Sequence, residues 1–216
     1  MAFIDELKHN KVIAIVRGIE PQYMNDLAKA LYAGGIRMVE CTFNQKEPES
    51  WKVTAESIKD MRLSSQDDMI VGAGTVLTVE QLHLAADAGA QFFVSPNLNE
   101  NVIAEAKRLG MGSLPGVLTP SEAVSAYEAG ADAVKLFPAG SMGAGYLKAI
   151  RAPLSHIPIV VVGGIDASNI ADFMKAGAIG AGVGGHLAKK ELIISRKYDV
   201  IEQEALKLIN AVNQTE

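Results

Sequence analysis

The sequence predicts a (β/α)8 barrel, an α/β protein with one domain over residues 1–216, and three observations carry that expectation. First, a short unit recurs: a helical segment, a glycine, a small or apolar residue, then an apolar run. It is seen in YAGGIRMVE, DAGAQFFVS, RLGMGSLPG, EAGADAVKL and KAGAIGAGV, with glycines at Gly34, Gly89, Gly110, Gly130 and Gly177. Glycine just past a helix end takes the left-handed conformation that stops the helix. Second, the two long gaps between these glycines each hide one more copy, DDMIVGAGT and HIPIVVVGG, and with VIAIVRG ahead of the first unit the apolar runs number eight. Third, these runs lack a polar face, the mark of strands covered on both sides in a parallel sheet. A doubly wound open sheet is the alternative. It would more often carry a Gly-rich dinucleotide fingerprint after the first strand, and VRGIEP is not one.

In chain order, the opening MAFIDELKHN is charged and lacks the apolar centre of a secretory leader. VIAIVRG is the first strand, ending in Arg17, and PQYMNDLAKALYAG is the helix behind it. MVECTF carries Glu40 and runs on to Asn44; MIVGAGT ends in Thr75; FFVSP ends in Ser95 and Pro96. NENVIAEAKRLG is helical, SLPGVL is the fifth strand, and AVKLFPA carries Lys135. IVVVGG and AIGAGVGG end in the pairs Gly163–Gly164 and Gly184–Gly185. In GGIDASN, Asp166 or Ser168 has the character of a helix cap. The last segment, YDVIEQEALKLINAVNQ, is an amphipathic helix expected to close the barrel.

At 216 residues the chain is short for such a barrel, which typically has about 250. It is 49% hydrophobic, which is ample for one large core. A net charge of −5 with no basic run argues against nucleic-acid binding. No stretch of 18 uncharged apolar residues is present, so no membrane span is expected. Cys41 stands alone and forms no internal disulfide, in keeping with a cytoplasmic protein.

Active sites of these barrels lie at the C-terminal ends of the strands. There, Lys135 and Glu40 stand out, because a charge in mid-strand is buried whichever way it points. Its burial needs a partner or a function. The bland alternative is a structural ion pair. The sharper one is a desolvated lysine of lowered pKa acting as an amine nucleophile on a ketone, with Glu40 as general acid and base. Arg17 offers a planar fork for a carboxylate or phosphate. Thr75 offers one hydroxyl. Gly163, Gly164, Gly184 and Gly185 let backbone approach an anion closely after strands 7 and 8, where barrels commonly hold phosphate. Cys41 reads as a small core residue and Trp51 as packing. The four histidines have no ligand spacing, so no metal is expected; His186, after Gly185, is a rim residue that could touch substrate.

These stretches resemble a known family. AIVRGI, GGIRMVECTFN, IVGAGTVLT, FFVSPNLNE, LPGVLTPSEA, AVKLFPAG and VVVGGID are similar to the 2-keto-3-deoxy-6-phosphogluconate aldolases, with their 4-hydroxy-2-oxoglutarate and 6-phosphogalactonate relatives, from about Lys11 to Leu187. The resemblance implies a metal-independent, cofactor-free class I aldolase on a (β/α)8 barrel, a homotrimer of carbohydrate metabolism of the Entner–Doudoroff kind. It implies Lys135 as Schiff-base lysine and Glu40 as acid/base. Thr75 and Arg17 would lie near the pyruvyl carboxylate, and Pro96 would shape the pocket. Gly163, Gly164, Gly184 and Gly185 would form the phosphate end. Two departures stand out. Many members have arginine at the place of Asn44, and asparagine there is more like the galactonate relatives. Many have a phosphate-binding serine where this chain has Gly185. The expected substrate is a 2-keto-3-deoxy-6-phospho sugar acid, the gluconate type first and the galactonate or 4-hydroxy-2-oxoglutarate types as alternatives. A sugar-phosphate epimerase or isomerase barrel, a metal-dependent aldolase and a non-catalytic sugar-phosphate sensor are the rivals from other classes.

Overall fold

β-Branched and small apolar runs, cut by glycines and by well-capped helices, wind the chain into one ring of parallel strands. The computed structural model describes residues 2–66, 68–185 and 187–214. The strands are β1 (Val12–Arg17), β2 (Met38–Thr42), β3 (Ile70–Gly74), β4 (Phe92–Val94), β5 (Gly112–Leu114), β6 (Gly116–Val117), β7 (Val134–Leu136), β8 (Ile159–Val162) and β9 (Gly180–Val183). They pair in the order β5-β4-β3-β2-β1-β9-β8-β7-β6, all parallel. β5 and β6 are the two halves of the fifth barrel strand, the run SLPGVL, parted at Pro115, which has no N–H to give the ladder. β5 pairs with β4 and β6 with β7, so the split strand is the seam where the ring closes. The fold is therefore the expected (β/α)8 barrel, with its fifth strand in two pieces.

Side chains staple that seam. Asp132 Oδ2 accepts from the Ser113 amide at 2.8 Å and from its hydroxyl at 2.7 Å, and Ser113 Oγ accepts from the Asp132 amide at 3.0 Å. Across it, the Lys135 amide donates to Pro115 O at 2.8 Å.

Alternation along the strands builds two apolar layers. Ile13, Ile15, Met38, Phe92, Val94, Leu114, Ala133, Val160 and Val162 pack together inside the barrel. Their neighbours Val12, Ala14, Val16, Val39, Cys41, Val71, Phe93, Val134, Leu136 and Val161 face the helices. Helix α1 (Phe3–Asn10) plugs the N-terminal end: Phe3 stacks on Phe92 at 5.1 Å between ring centroids, and Leu7 is buried in the inner layer. Gly72 and Gly112 make room for those rings, since a Cβ on either would come within 2.6 Å of Phe92 or Phe3.

Three of the helices begin on side-chain caps. In α4 (Val79–Asp87), Thr78 and Gln81 form a capping box. In α6 (Pro120–Glu128), Thr119 and Glu122 do the same, with Pro120 in the first turn. Helix α5 (Glu100–Arg108) is capped by Asn99. Helix α9 (Ile170–Lys175) starts after Asn169, and Asp166 instead holds a turn ahead of it, accepting from the Ser168 amide at 2.8 Å. Gly89, Gly110, Gly130 and Gly177 are left-handed, as expected of helix stops, but Gly34 is not. The left-handed residue there is Gly35. Gly34 is small because α11 (Tyr198–Asn213) lies on it: a Cβ would come 2.3 Å from that of Ala205. Helix α11 packs on α2 (Met24–Ala33) and on α9, closing the helical ring.

Candidate active site

The inner alternation that gives Ile13 and Ile15 on β1 brings Arg17 to its C-terminal end, and Met38 is followed on the same face by Glu40 and Thr42. Ala133 is followed by Lys135 on β7. Pairing sets Glu40 level with Ile15 and Gly72, and Lys135 level with Gly116 and Val160. A cavity of about 520 Å³ opens at this end. It is lined by Arg17, Glu40, Thr75 and Lys135, by Gly163, Gly164, Gly184 and Gly185, and by Phe137 and the Lys189–Lys190–Glu191 run. Pro96 lies instead in a neighbouring hollow with Gly116 and Phe137. Asn44 is exposed and bonded to Glu47, away from the cavity. His186 lies outside the described residues.

Both mid-strand charges are buried, Glu40 with 2% and Lys135 with 7% of its surface exposed. Burial pushes the Glu40 carboxyl above the usual carboxylate range, against the pull of Lys135 and Arg17. Burial pushes the Lys135 amine below the usual lysine range; Glu40 opposes this and Arg17 adds to it. The amine lies 4.9 Å from the Phe137 ring centroid. Glu40 Oε2 and Thr42 Oγ1 are buried polar atoms with no partner in the protein, which leaves the carboxylate free to bond to a reactant. Gly74 lets Glu40 sit where it does, since a Cβ there would fall 2.8 Å from Glu40 Oε1. Cys41 points outward into the strand–helix layer, and burial, helped by the charge of Glu40, lifts its thiol to about 12, so it stays protonated.

Backbone shape sets the rest. Thr75 is left-handed, with φ +57°, a conformation that costs a β-branched residue roughly 1–3 kcal/mol. Gly163 and Gly164 are left-handed too, at φ +91° and +73°, packed against Phe137 and Gly140. A Cβ on Gly185 would meet nothing within 4 Å, so this part of the wall is open. Phe137, read only as part of the apolar run AVKLFPA, and the Lys189–Lys190 pair carried no signal in the sequence for a place on this wall. Among the described residues, no three His, Cys, Asp or Glu side chains gather where they could hold a metal ion. No helix among them is long and apolar enough to cross a membrane.

The chain has known relatives. A model of the KDPG and KHG aldolase family matches residues 3–204. The chain belongs to that family. It is 38% identical to the 2-dehydro-3-deoxy-6-phosphogalactonate aldolase of Escherichia coli (strain K12), over 86% of this chain and 88% of that one. It is 32% identical to the 2-dehydro-3-deoxy-phosphogluconate aldolase of Haemophilus influenzae, over 97% of this chain and 96% of that one. The crystal structure of KDPG aldolase from Legionella pneumophila, with pyruvate captured as a covalent carbinolamine, superposes with a TM-score of 0.85 at 25% identity, covering 95% of this chain and 97% of that one. As a KDPG and KHG aldolase the protein is a lyase that makes or breaks a carbon–carbon bond.

Proposed function

We propose that the cavity cleaves a 2-keto-3-deoxy-6-phospho sugar acid to pyruvate and D-glyceraldehyde 3-phosphate through a Schiff base on Lys135. The observation that carries this reading is a buried amine, its pKa lowered, in one cavity with a buried carboxyl whose Oε2 has no protein partner. The neutral amine of Lys135 attacks the C2 ketone, and Glu40 moves protons as the carbinolamine loses water to give an iminium. Glu40 then takes the C4 hydroxyl proton. The C3–C4 bond breaks, its electron pair passes into the iminium to give an enamine, and the aldehyde leaves. Protonation at C3 and hydrolysis free pyruvate and the lysine. Arg17 and Thr75 hold the pyruvyl carboxylate. Gly163, Gly164, Gly184 and Gly185 receive the phosphate end, and Pro96 shapes the neighbouring wall. The carbinolamine in the Legionella relative supports the covalent route.

Gluconate was the first expectation for the sugar. The 38% identity to a galactonate enzyme and the asparagine at position 44 support the C4 epimer of the galactonate type, which we now favour. Activity ratios on the two epimers decide between them. The homotrimer implied by the family is part of the same reading, and light scattering should return three times the 22.9 kDa of one chain.

The covalent route is tested by incubating the protein with pyruvate, reducing with borohydride and mapping the adduct by mass spectrometry. A stable adduct on Lys135, lost in Lys135→Met, is expected. Folded protein that gains no adduct would sink the scheme and return the reading to an epimerase-like barrel.

A further inference from the structure

We propose that Gln45 is a positioning residue of this site: its side chain holds Thr75 in the left-handed turn that brings Thr75 to the cavity wall. The inference rests on reading the cavity as the pyruvyl site.

Among the described residues only Lys11, Thr75 and Arg196 are non-glycine residues in the left-handed region, and Thr75 alone is β-branched. Such a residue stays there only when its surroundings over-determine it. Three bonds do so. The carbonyl before Thr75, on Gly74, accepts from the Phe43 amide at 2.9 Å, and the amide after it, on Val76, donates to Val94 O at 3.1 Å. Both are main-chain bonds. The third is the carbonyl of Thr75 itself, which accepts from Gln45 Nε2 at 2.8 Å. This is the one bond of the three that depends on a side chain.

Gln45 is in turn oriented. Its Oε1 accepts from Gln81 Nε2 at 2.9 Å. Gln81 is fully buried, and its Oε1 accepts from the main-chain amides of Leu77 at 2.7 Å and Thr78 at 3.3 Å. Two main-chain donors fix the oxygen end of Gln81, so its NH₂ must point at Gln45. The oxygen of Gln45 must then face Gln81, and its NH₂ the Thr75 carbonyl. The two amides form a relay with one direction, running from the N-terminus of α4 to the cavity. A residue at position 45 without a donor would leave the Thr75 carbonyl without that bond and loosen the turn.

The experiment titrates pyruvate in the borohydride-trapping reaction for Gln45→Met, which keeps length and loses the donor, and for Gln45→Glu, which puts a carboxylate against the carbonyl. In both, the half-saturating pyruvate concentration should rise about tenfold, the effect of one lost hydrogen bond to the site. Adduct per subunit at saturation and the melting temperature should stay close to those of the unsubstituted protein. If either folded variant traps with unchanged half-saturation, the inference fails and the reading of the cavity stands. If the unsubstituted protein forms no adduct at all, both fall.

Discussion

The two ends of the barrel interior are built from the same alternation and hold opposite contents. At the N-terminal end, Ile13, Met38 and Phe92 meet the plug of Phe3 and Leu7, and glycines serve to admit aromatic rings. Further toward the C-terminal end stand Arg17 on β1, Glu40 on β2 and, one rung past Ala133, Lys135 on β7, and a glycine, Gly74, admits a carboxylate. The larger hollow, about 890 Å³, lies outside the plugged end between α1, Arg37 and Asp68, whereas the charged cavity holds about 520 Å³. Size therefore does not mark the site. What distinguishes it is charge kept away from water, Glu40 and Lys135 both buried where the other end holds only apolar side chains.

Three experiments sharpen or break that contrast. The largest effect belongs to the charged end: Glu40→Gln should lower turnover about 10²–10⁴-fold with the fold intact, the usual loss for a proton-transfer group. Steady-state kinetics checks it, and near-normal turnover would reduce Glu40 to a structural charge. Phe92→Ala at the plugged end should do the reverse. Stability should fall by about 3–5 kcal/mol in denaturant, with turnover per folded molecule unchanged. A matching loss of turnover would show that the two ends are not separable.

The smallest and most telling effect is on stability at the charged end. Replacing the pair together, Lys135→Met with Glu40→Gln, should raise stability at neutral pH by about 1–4 kcal/mol while abolishing activity. The pH dependence has a definite sign. Because the folded Glu40 carboxyl is held above its ordinary value, folded protein keeps a proton that the unfolded chain has lost, and stability falls as pH rises through that window. Because the folded Lys135 amine is held below its ordinary value, the unfolded chain keeps a proton that the folded protein lacks, and stability climbs as pH rises toward the ordinary lysine range. Denaturant midpoints across pH should show both slopes in the native protein and neither in the double variant.

The sequence was most legible where burial contradicts residue type. Eight apolar runs announced eight barrel strands, and two charges inside them pointed to either a structural ion pair or a cavity; the fold puts both on the wall of one cavity. It was least legible where the reason for a residue lies across space. Gly34 looks like a helix stop, yet its smallness answers to Ala205 in the last helix. SLPGVL reads as one strand, and only the ladder shows that Pro115 divides it. Gln45 sits in a polar loop, and Lys190 opens a short helix, Lys190–Ile194, in a stretch that reads as any solvated segment. Only the folded chain shows the first bonded to the Thr75 carbonyl and the second on the cavity wall.

The divided fifth strand has a consequence for motion. A closed ring has no free edge, so it can open only by parting one of its ladders. Here the seam at β5 and β6 lacks the one amide that Pro115 cannot supply; the Lys135 and Phe137 amides still cross it to Pro115 O and Val117 O, and Ser113 and Asp132 add side-chain bonds. Breathing of the barrel is cheapest along that line, and amide hydrogen exchange would register it first at Ala133 and Lys135. The strand uncovered by such an opening is the one that carries the buried Lys135. The Ser113–Asp132 staple, 19 residues apart in sequence, thus lies on the line that such an opening would have to part.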